Sequence, residues 1–304
     1  MVLRLAIGLV VAGLMAASDA AAETQLSSDL AFVISATPGW VSWGRDINQN
    51  GRIATEWVLW RGGSFVPVAQ PYERTLGTDA KGRAVSVESP CYQCREVERR
   101  LSDGSVRPLP RRVVHVADES GGTLAYVRRG LGIYVLRRGA RHVIRVSRVE
   151  AASLALGPRW LVYWDRGGSG DTSRIAAIDL KRTKPRARVL TTYSSAEEDC
   201  RCTDSFTREE SPTIDGHFAY WAEVLVTGRE GQAPPGVHTT LLRVDLAAKH
   251  PVVEAFSPAH TVNEFAVERG TIYYVAPSSE SARGVWRVDA PKWEKTGRRF
   301  PVRS

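Results

Sequence analysis

The residues with the most evident chemical potential are four cysteines that occur in two closely spaced pairs. They are Cys91 and Cys94 in one pair and Cys200 and Cys202 in the other. In an oxidising compartment an even number of cysteines favours disulfides. Bridges within each pair are one arrangement, although Cys-x-Cys closes a small and strained ring. Cross-bridges between the pairs, a four-thiolate metal site and free thiols are the alternatives.

A second candidate site is a short run of oxygen-bearing side chains. Asp46, Asn48 and Asn50, followed by Gly51, match the start of a calcium-binding loop. Side-chain oxygens at alternate positions converge on a hard cation while the glycine makes the turn. Trp57 stands where such a loop needs a bidentate glutamate, so an Asn-Gly turn between two strands is the competing interpretation. Calcium is the one cofactor that the sequence suggests.

Motifs for enzymatic chemistry are absent from the sequence. There is no nucleophile elbow, phosphate-binding loop or zinc-protease helix. Carboxylates cluster between residues 197 and 210, where they fit a cation site, an acid/base pair or a solvated loop. We therefore assign no catalytic or cofactor-binding residue and favour a non-catalytic protein.

The first 22 residues resemble an export signal. A basic start is followed by an apolar run from Leu5 to Ala17, which is too short to span a bilayer comfortably. Ala20 and Ala22 satisfy the small-x-small rule for signal peptidase. We expect cleavage after Ala22, no transmembrane segment thereafter, and a secreted or periplasmic location. An uncleaved anchor is the alternative.

One strand motif of apolar and aromatic residues occurs six times after the leader. The copies begin at Trp40, Ala84, Leu124, Leu161, Phe218 and Ile272. They are 44, 40, 37, 57 and 54 residues apart, and a turn with glycine precedes each copy. Glycine tolerates the positive φ of a tight hairpin. The repeat therefore indicates six similar hairpin-based units.

These units predict an all-β fold, since helical periodicity is almost absent. A four-stranded antiparallel sheet cannot bury both apolar faces alone, whereas six sheets in a closed ring cover one another. We predict a six-bladed β-propeller in a single domain, residues 23–304. The expected blades are residues 30–70, 71–110, 111–148, 149–193, 211–258 and 259–302.

Two copies of the motif show a resemblance to a known family. Residues 78–87 and Ile214–Trp221 place an aspartate and glycine turn before the strand, and Val244-Asp245 ends a later strand. This order resembles the repeat of TolB-like, WD-repeat-like six-bladed propellers. The resemblance implies the fold, with members that are periplasmic interaction platforms and others attached to catalytic domains.

The longer insertions are predicted to share one face of the ring, because alternate connections of an antiparallel blade emerge at opposite ends. They are residues 194–210, 227–238, 45–54, the Cys91 region and 166–173. Length variation on one face is typical of a binding face. Loops that lengthened without a function are the alternative.

The charge of the chain is concentrated in one stretch. The formal net charge is +8, and residues 95–148 contain 13 arginines, no lysine and five acidic residues. The second and third expected blades, residues 71–110 and 111–148, are therefore predicted to attract anionic envelope polymers, lipid headgroups or acidic proteins. A general preference for arginine as a solubilising residue is the competing explanation. No nucleic-acid partner is expected, because no nucleic-acid-binding module is recognisable.

Together these features predict an exported, monomeric, non-catalytic propeller that binds a protein or an anionic envelope polymer through its loop face. The alternative is a propeller enzyme, a lyase or metal-dependent hydrolase, with its site at the mouth of the central channel.

The disulfide prediction is tested by titrating free thiols in the exported protein under denaturing conditions. We expect no reactive thiol before reduction and four after it. Four reactive thiols before reduction would exclude both disulfide arrangements.

Overall fold

The computed structural model of the protein describes most of the chain between residues 22 and 299. The described residues are 22–29, 31–46, 55–67, 71, 73–89, 96–109, 117–128, 130–137, 139–140, 143–165, 172–194, 205–227, 236–276 and 283–299. Regular structure in these ranges consists of β-strands. None of their residues belongs to a helix long and apolar enough to cross a membrane.

The strands form six antiparallel sheets, numbered blades I to VI along the chain. Blade I contains β2 (Ala31–Thr37), β3 (Trp40–Asp46), β4 (Thr55–Arg61) and β5 (Ser64–Val66). Blade II contains β6 (Glu73–Thr78), β7 (Ala84–Ser89), β8 (Val97–Arg100) and β9 (Val106–Pro108). Blade III contains β10 (Ala117–Ser120), β11 (Thr123–Arg128), β12 (Gly132–Arg137) and β13 (Ile144–Ser147).

The remaining three blades include both ends of the described chain. Blade IV contains β14 (Ser153–Leu156), β15 (Trp160–Asp165), β16 (Thr172–Asp179) and β17 (Ala187–Ser194). Blade V contains β18 (Ser205–Asp215), β19 (Phe218–Thr227), β20 (Gly236–Asp245) and β21 (Val252–Phe256), with β25 (Glu294–Arg299) as a fifth, outermost strand. Blade VI contains β22 (Glu264–Glu268), β23 (Thr271–Ala276) and β24 (Gly284–Val288), with β1 (Glu23–Ser27) outermost.

The inner strands close into a ring, and the predicted six-bladed propeller is confirmed. The strand β2 contacts β6, and the contacts continue through β10, β14, β18 and β22 back to β2. A separate cluster of buried apolar side chains fills each of the six interfaces between neighbouring blades. The hydrophobic core therefore lies between the sheets, where each apolar face meets the next.

Chain direction gives the ring two different faces. The turns from inner to second strand form one face, here called the hairpin face, with a positive φ at glycines such as Gly39 (77°) and Gly270 (78°). The opposite ends of the strands define the variable face, where the second strand leads to the third and one blade to the next. The strand ends beside all the predicted insertions lie on this variable face.

Two blades differ from the expected ranges. Blade VI was expected to comprise residues 259–302, but β1 supplies its outermost strand, while β25 adds to blade V. Blade V was expected from residue 211, but β18 begins at Ser205 because Ser205–Glu210 pair with residues 222–227 of β19. Glu209 and Glu210, expected in a loop, are therefore strand residues.

The fit between inner strands predicts a graded response to added methyl groups. A Cβ on Gly77 of β6 would lie 2.2 Å from the backbone oxygen of Glu119 in β10, whereas a Cβ on Gly157 would first meet the Ile214 side chain at 3.0 Å. Gly77→Ala should lower the free energy of unfolding by about 3 kcal/mol or more, and Gly157→Ala by about 1 kcal/mol or less. Denaturant unfolding of both variants checks this order, and equal effects would contradict it.

Candidate functional site

Most residues of the two predicted sites lie outside the described residues. This holds for Cys91, Cys94, Cys200 and Cys202, and for Asn48 and Asn50. Asp46 ends β3, where its backbone is opposite Thr55. The disulfides and the calcium loop therefore stay predictions. Among the residues that are described, no three histidine, cysteine or carboxylate side chains are grouped so that they would hold a metal ion.

A central channel of about 390 Å³ runs between the six inner strands. Each inner strand is the last strand of its sheet, so one backbone edge has no neighbouring strand and faces the other inner strands. Such an edge offers backbone donors and acceptors to water or to a ligand. The channel is therefore a candidate site at the place where propeller enzymes would be expected to converge polar side chains.

Hydroxyl side chains in the wall of this channel bond to the following blade. The Thr37 hydroxyl donates to the Gly77 carbonyl over 2.8 Å, and the Ser35 hydroxyl accepts from the Leu76 N–H over 3.2 Å. Thr78 of blade II accepts from the N–H of Gly121 in blade III over 3.0 Å. These contacts join inner strands that share no sheet ladder.

Two channel carboxylates make the same kind of contact. Asp118 of blade III accepts from the N–H of Leu156 in blade IV over 2.7 Å. Asp215 of blade V accepts from the N–H of Gly270 in blade VI over 2.8 Å. Both carboxylates are thus used to hold neighbouring blades in register.

Asp118 has the most unusual protonation in the channel wall. Burial raises the pKa of its carboxyl to about 7, although the N–H groups of Leu156 and Glu119 act to lower it. These donors reach different oxygens, Glu119 N at 2.8 Å from Oδ1 and Leu156 N at 2.7 Å from Oδ2. A carboxyl that titrates near neutrality is what general acid/base chemistry requires.

The mouth of the channel on the hairpin face carries a cluster of charged side chains. Burial raises the pKa of Glu268, and the Asp215 charge adds to this while Arg269 opposes it. The Arg269 guanidinium lies 3.2 Å from the Glu268 carboxylate. Arg269 has a φ of +48°, a strained conformation for a residue with a side chain. This mouth combines two carboxylates and one guanidinium from blades V and VI.

A network of buried charges in blade II was missed by the sequence analysis. The Arg74 side chain is fully buried and forms an ion pair with Glu88 at 3.1 Å, and Glu88 also accepts from Arg99 at 2.9 Å. Arg74 and Glu88 are directly opposite each other in the β6–β7 ladder. Their opposite charges on two neighbouring strands were the sequence feature that could have indicated this pair, since such charges stabilise a sheet.

The network extends to the interface between blades II and III. Arg107 of β9 pairs with Glu98 of β8 and, at 3.3 Å, with Glu119 of the inner strand β10. Glu98 and Glu119 are both buried. Arg99 and Arg107 of the predicted positive sector are therefore paired with buried carboxylates.

Blade III carries the exposed part of the positive sector. Arg145 in β13 and Arg148 just beyond it are exposed, and no ion pair involves either of them in the part of the chain that is described. Leu131, in the connection between β11 and β12, and Ile144, at the start of β13, are 50% and 53% exposed. Blade III thus presents cationic and apolar side chains to solvent.

Comparisons with known proteins agree with this architecture. No family model and no curated protein matches the sequence. Among solved structures, TolB from Acinetobacter baumannii is 12% identical, with a TM-score of 0.54 over 84% of this chain and 64% of that chain. The chain has a TolB-like propeller fold. It spans less than two thirds of that TolB chain, and the likeness concerns the fold alone.

Two further matches are more distant. Puromycin hydrolase is 12% identical, with a TM-score of 0.45 over 91% of this chain and 55% of that chain. Acylaminoacyl peptidase from Pyrococcus horikoshii is 10% identical, with a TM-score of 0.34 over 83% of this chain and 43% of that chain. The names of these proteins describe those proteins and assign no activity to this one.

The raised pKa of Asp118 predicts a stability change near neutral pH. The folded state holds this proton between about pH 4 and pH 7, so its stabilising contribution is complete below pH 4 and is lost as pH rises to 7. Asp118→Asn does not titrate, and its amide oxygen still accepts from Leu156. Relative to the unaltered protein, the variant should gain up to about 4 kcal/mol between pH 4 and pH 8 in denaturant unfolding.

Asp79 serves as a control, because its pKa is shifted in the opposite direction. Burial alone would raise its pKa, but hydrogen bonds from Arg83 and from the Lys81 N–H lower it to about 2. Its contribution is present above pH 4 and is lost as pH falls through 2. Asp79→Asn should therefore destabilise the protein at pH 7 and progressively less toward pH 2. If the difference in unfolding free energy between Asp118→Asn and the unaltered protein did not change with pH, the raised pKa of Asp118 would be contradicted.

Proposed function

We propose that this protein is an exported, non-catalytic propeller that binds an anionic partner, an acidic protein or an anionic polymer. Blade III and the adjoining variable face would form the contact surface. Export is inferred from the leader-like residues 1–22. The TolB-like fold is compatible with a binding role, but it assigns no partner.

The observation that carries the proposal is the radial separation of charge in blade III. Its strands contain two acidic residues, Asp118 and Glu119, and both belong to the inner strand β10. Both carboxylates are engaged there by neighbouring blades, one by Leu156 and the other by Arg107. The acidic residues of the blade III strands are consequently directed toward the centre of the ring, whereas Glu150, beyond β13, is exposed and accepts from the Gly130 N–H over 2.7 Å.

The basic groups of blade III lie toward its outside. Arg145 and Arg148 are on or next to the outermost strand, and Arg137 ends the third strand with one guanidinium nitrogen 2.7 Å from the Leu180 carbonyl. An exposed cationic surface attracts anions over several ångströms and raises association rates.

Exposed apolar side chains in blade III favour a partner with its own apolar or aliphatic surface. Leu131 lies in the connection between β11 and β12 on the variable face, and Ile144 begins β13. Both side chains are about half exposed. Apolar contact would supply affinity to an encounter that the arginines steer.

Asp118 is the observation that favours the alternative, an enzyme with its site in the channel. Its carboxyl titrates near neutrality and faces a channel large enough for a small ligand. Both of its oxygens, however, accept backbone N–H groups. A structural role in joining blades III and IV accounts for these contacts, so we favour the binding function.

Binding to a polyanion tests the proposal. Fluorescent dextran sulfate is the anionic probe, with neutral dextran as the uncharged comparison. Arg145→Gln combined with Arg148→Gln should weaken dextran sulfate binding about tenfold or more at low salt, since each surface charge contributes about 1 kcal/mol near an anionic surface. Fluorescence anisotropy at two salt concentrations measures the effect.

A matched double variant controls for net charge. Arg182→Gln with Arg186→Gln removes two exposed arginines from the β16–β17 turn of blade IV and should change binding less than threefold. Equal losses from both pairs would show that overall charge, and not blade III, drives association. Failure of the unaltered protein to bind any polyanion would reject the anionic-polymer part of the proposal.

A further inference from the structure

The outermost strand of blade VI comes from the start of the described chain. In β1, Glu23 is opposite Val288 and Ser27 is opposite Val285 of β24, with an irregularity between Gln25 and Ser27. The other three strands of this blade come from residues 264–288. Blade VI is therefore complete only when the N-terminal strand is docked.

Side-chain contacts of Glu23 fix the beginning of this strand. The Glu23 carboxylate accepts from the Ala259 N–H over 2.8 Å and also from the Tyr274 hydroxyl. Tyr274 is fully buried. Since a carboxylate hydrogen bond is stronger than a neutral one, Glu23 is a major anchor of β1.

The receiving edge of β24 is shaped for β1. Gly284 has a φ of +138°, and a Cβ there would lie 2.0 Å from the Ser27 carbonyl oxygen and 2.9 Å from the Gln25 amide nitrogen. The Gln25 amide also donates to the Arg283 carbonyl over 2.9 Å. A side chain at position 284 is thus incompatible with the docked strand.

The anchor residue is also the first residue after the expected cleavage site. Hydrolysis of the Ala22–Glu23 bond adds water, leaving a carboxylate on Ala22 and an ammonium group on Glu23. A peptidase must hold residues on both sides of that bond extended in its own cleft. Glu23 cannot do this while its backbone pairs with Val288 and its carboxylate binds Ala259 and Tyr274.

We propose that leader removal and closure of blade VI exclude each other: the bond after Ala22 is cut while β1 is undocked, and β1 docks afterwards. Ring closure is then the last step of maturation, and docking protects the new N-terminus. The device depends on the contacts of β1 and on the expected leader, and it does not depend on which partner the mature protein binds.

The accessibility of the bond before Glu23 tests the proposal directly. Residues 1–22 are replaced by a soluble tag whose protease site ends immediately before Glu23, and cleavage is timed in native and denaturing conditions. We expect cleavage of the native protein to be at least tenfold slower than that of the unfolded chain, because cleavage follows the undocked fraction. Equal rates would refute the proposal.

Two glycine variants separate strand docking from general destabilisation. Gly284→Ala blocks docking and should bring native cleavage to within threefold of the unfolded rate. Gly297→Ala places the same change at a positive φ of 74° in β25, where nothing lies within 4 Å, and should retain the slow rate. Equal rates for the two variants would overturn the proposal.

A milder variant keeps the test decisive if Gly284→Ala fails to fold. Gln25→Ala removes the amide contact with Arg283 while leaving β24 unchanged, and cleavage should accelerate about threefold or more. Mass spectrometry of the exported protein gives an independent result. We expect Glu23 at its N-terminus, and an N-terminus inside β1 would contradict the proposed order.

Discussion

The fold depends on covering both apolar faces of every sheet. Trp40 and Trp43 show this within one strand, since Trp40 packs toward blade II and Trp43 packs against blade VI. Trp43 is completely buried. No blade reduces its exposed apolar area by itself, so hydrophobic burial is gained only when each blade has two neighbours. This requirement makes closure of the ring, and hence the docking of its terminal strands, part of the folding of every blade.

Blade II meets this requirement differently from the others. The apolar clusters on its two sides contain few buried residues, such as Leu76 on one side and Val87 on the other. Buried ion pairs, Arg74 with Glu88 and Arg107 with Glu119, occupy the same blade and its border with blade III. Such pairs add little net stability compared with apolar packing, but loss of one partner is costly. Blade II therefore combines small apolar clusters with buried ion pairs and with inter-blade hydrogen bonds such as that from Thr37 to Gly77.

The sequence was informative wherever a local pattern had a local cause. The repeated motif predicted six blades, and the structure confirms this number. The blades to which β1 and β25 belong were not predictable, because β1 pairs with the distant β24 and β25 with β21, and such non-local pairing leaves no local pattern. The strand position of Glu209 and Glu210 was not predictable for a related reason: their polarity is typical of a loop, but they pair with β19. The unusual protonation of Asp118 likewise arises from burial between blades, which periodicity does not encode.

Charge pairing inside the ring also determines what the outside can do. Asp118, Asp215 and Glu119 face partners in neighbouring blades, so their hydrogen-bonding capacity is directed at holding inner strands together. A propeller that uses its channel carboxylates in this way has fewer groups free for catalysis at its axis. The same arrangement leaves Arg145 and Arg148 exposed on the outer side of blade III, outside any ion pair among the described residues. One distribution of charge thus places carboxylates at the contacts between inner strands and leaves arginines exposed on blade III.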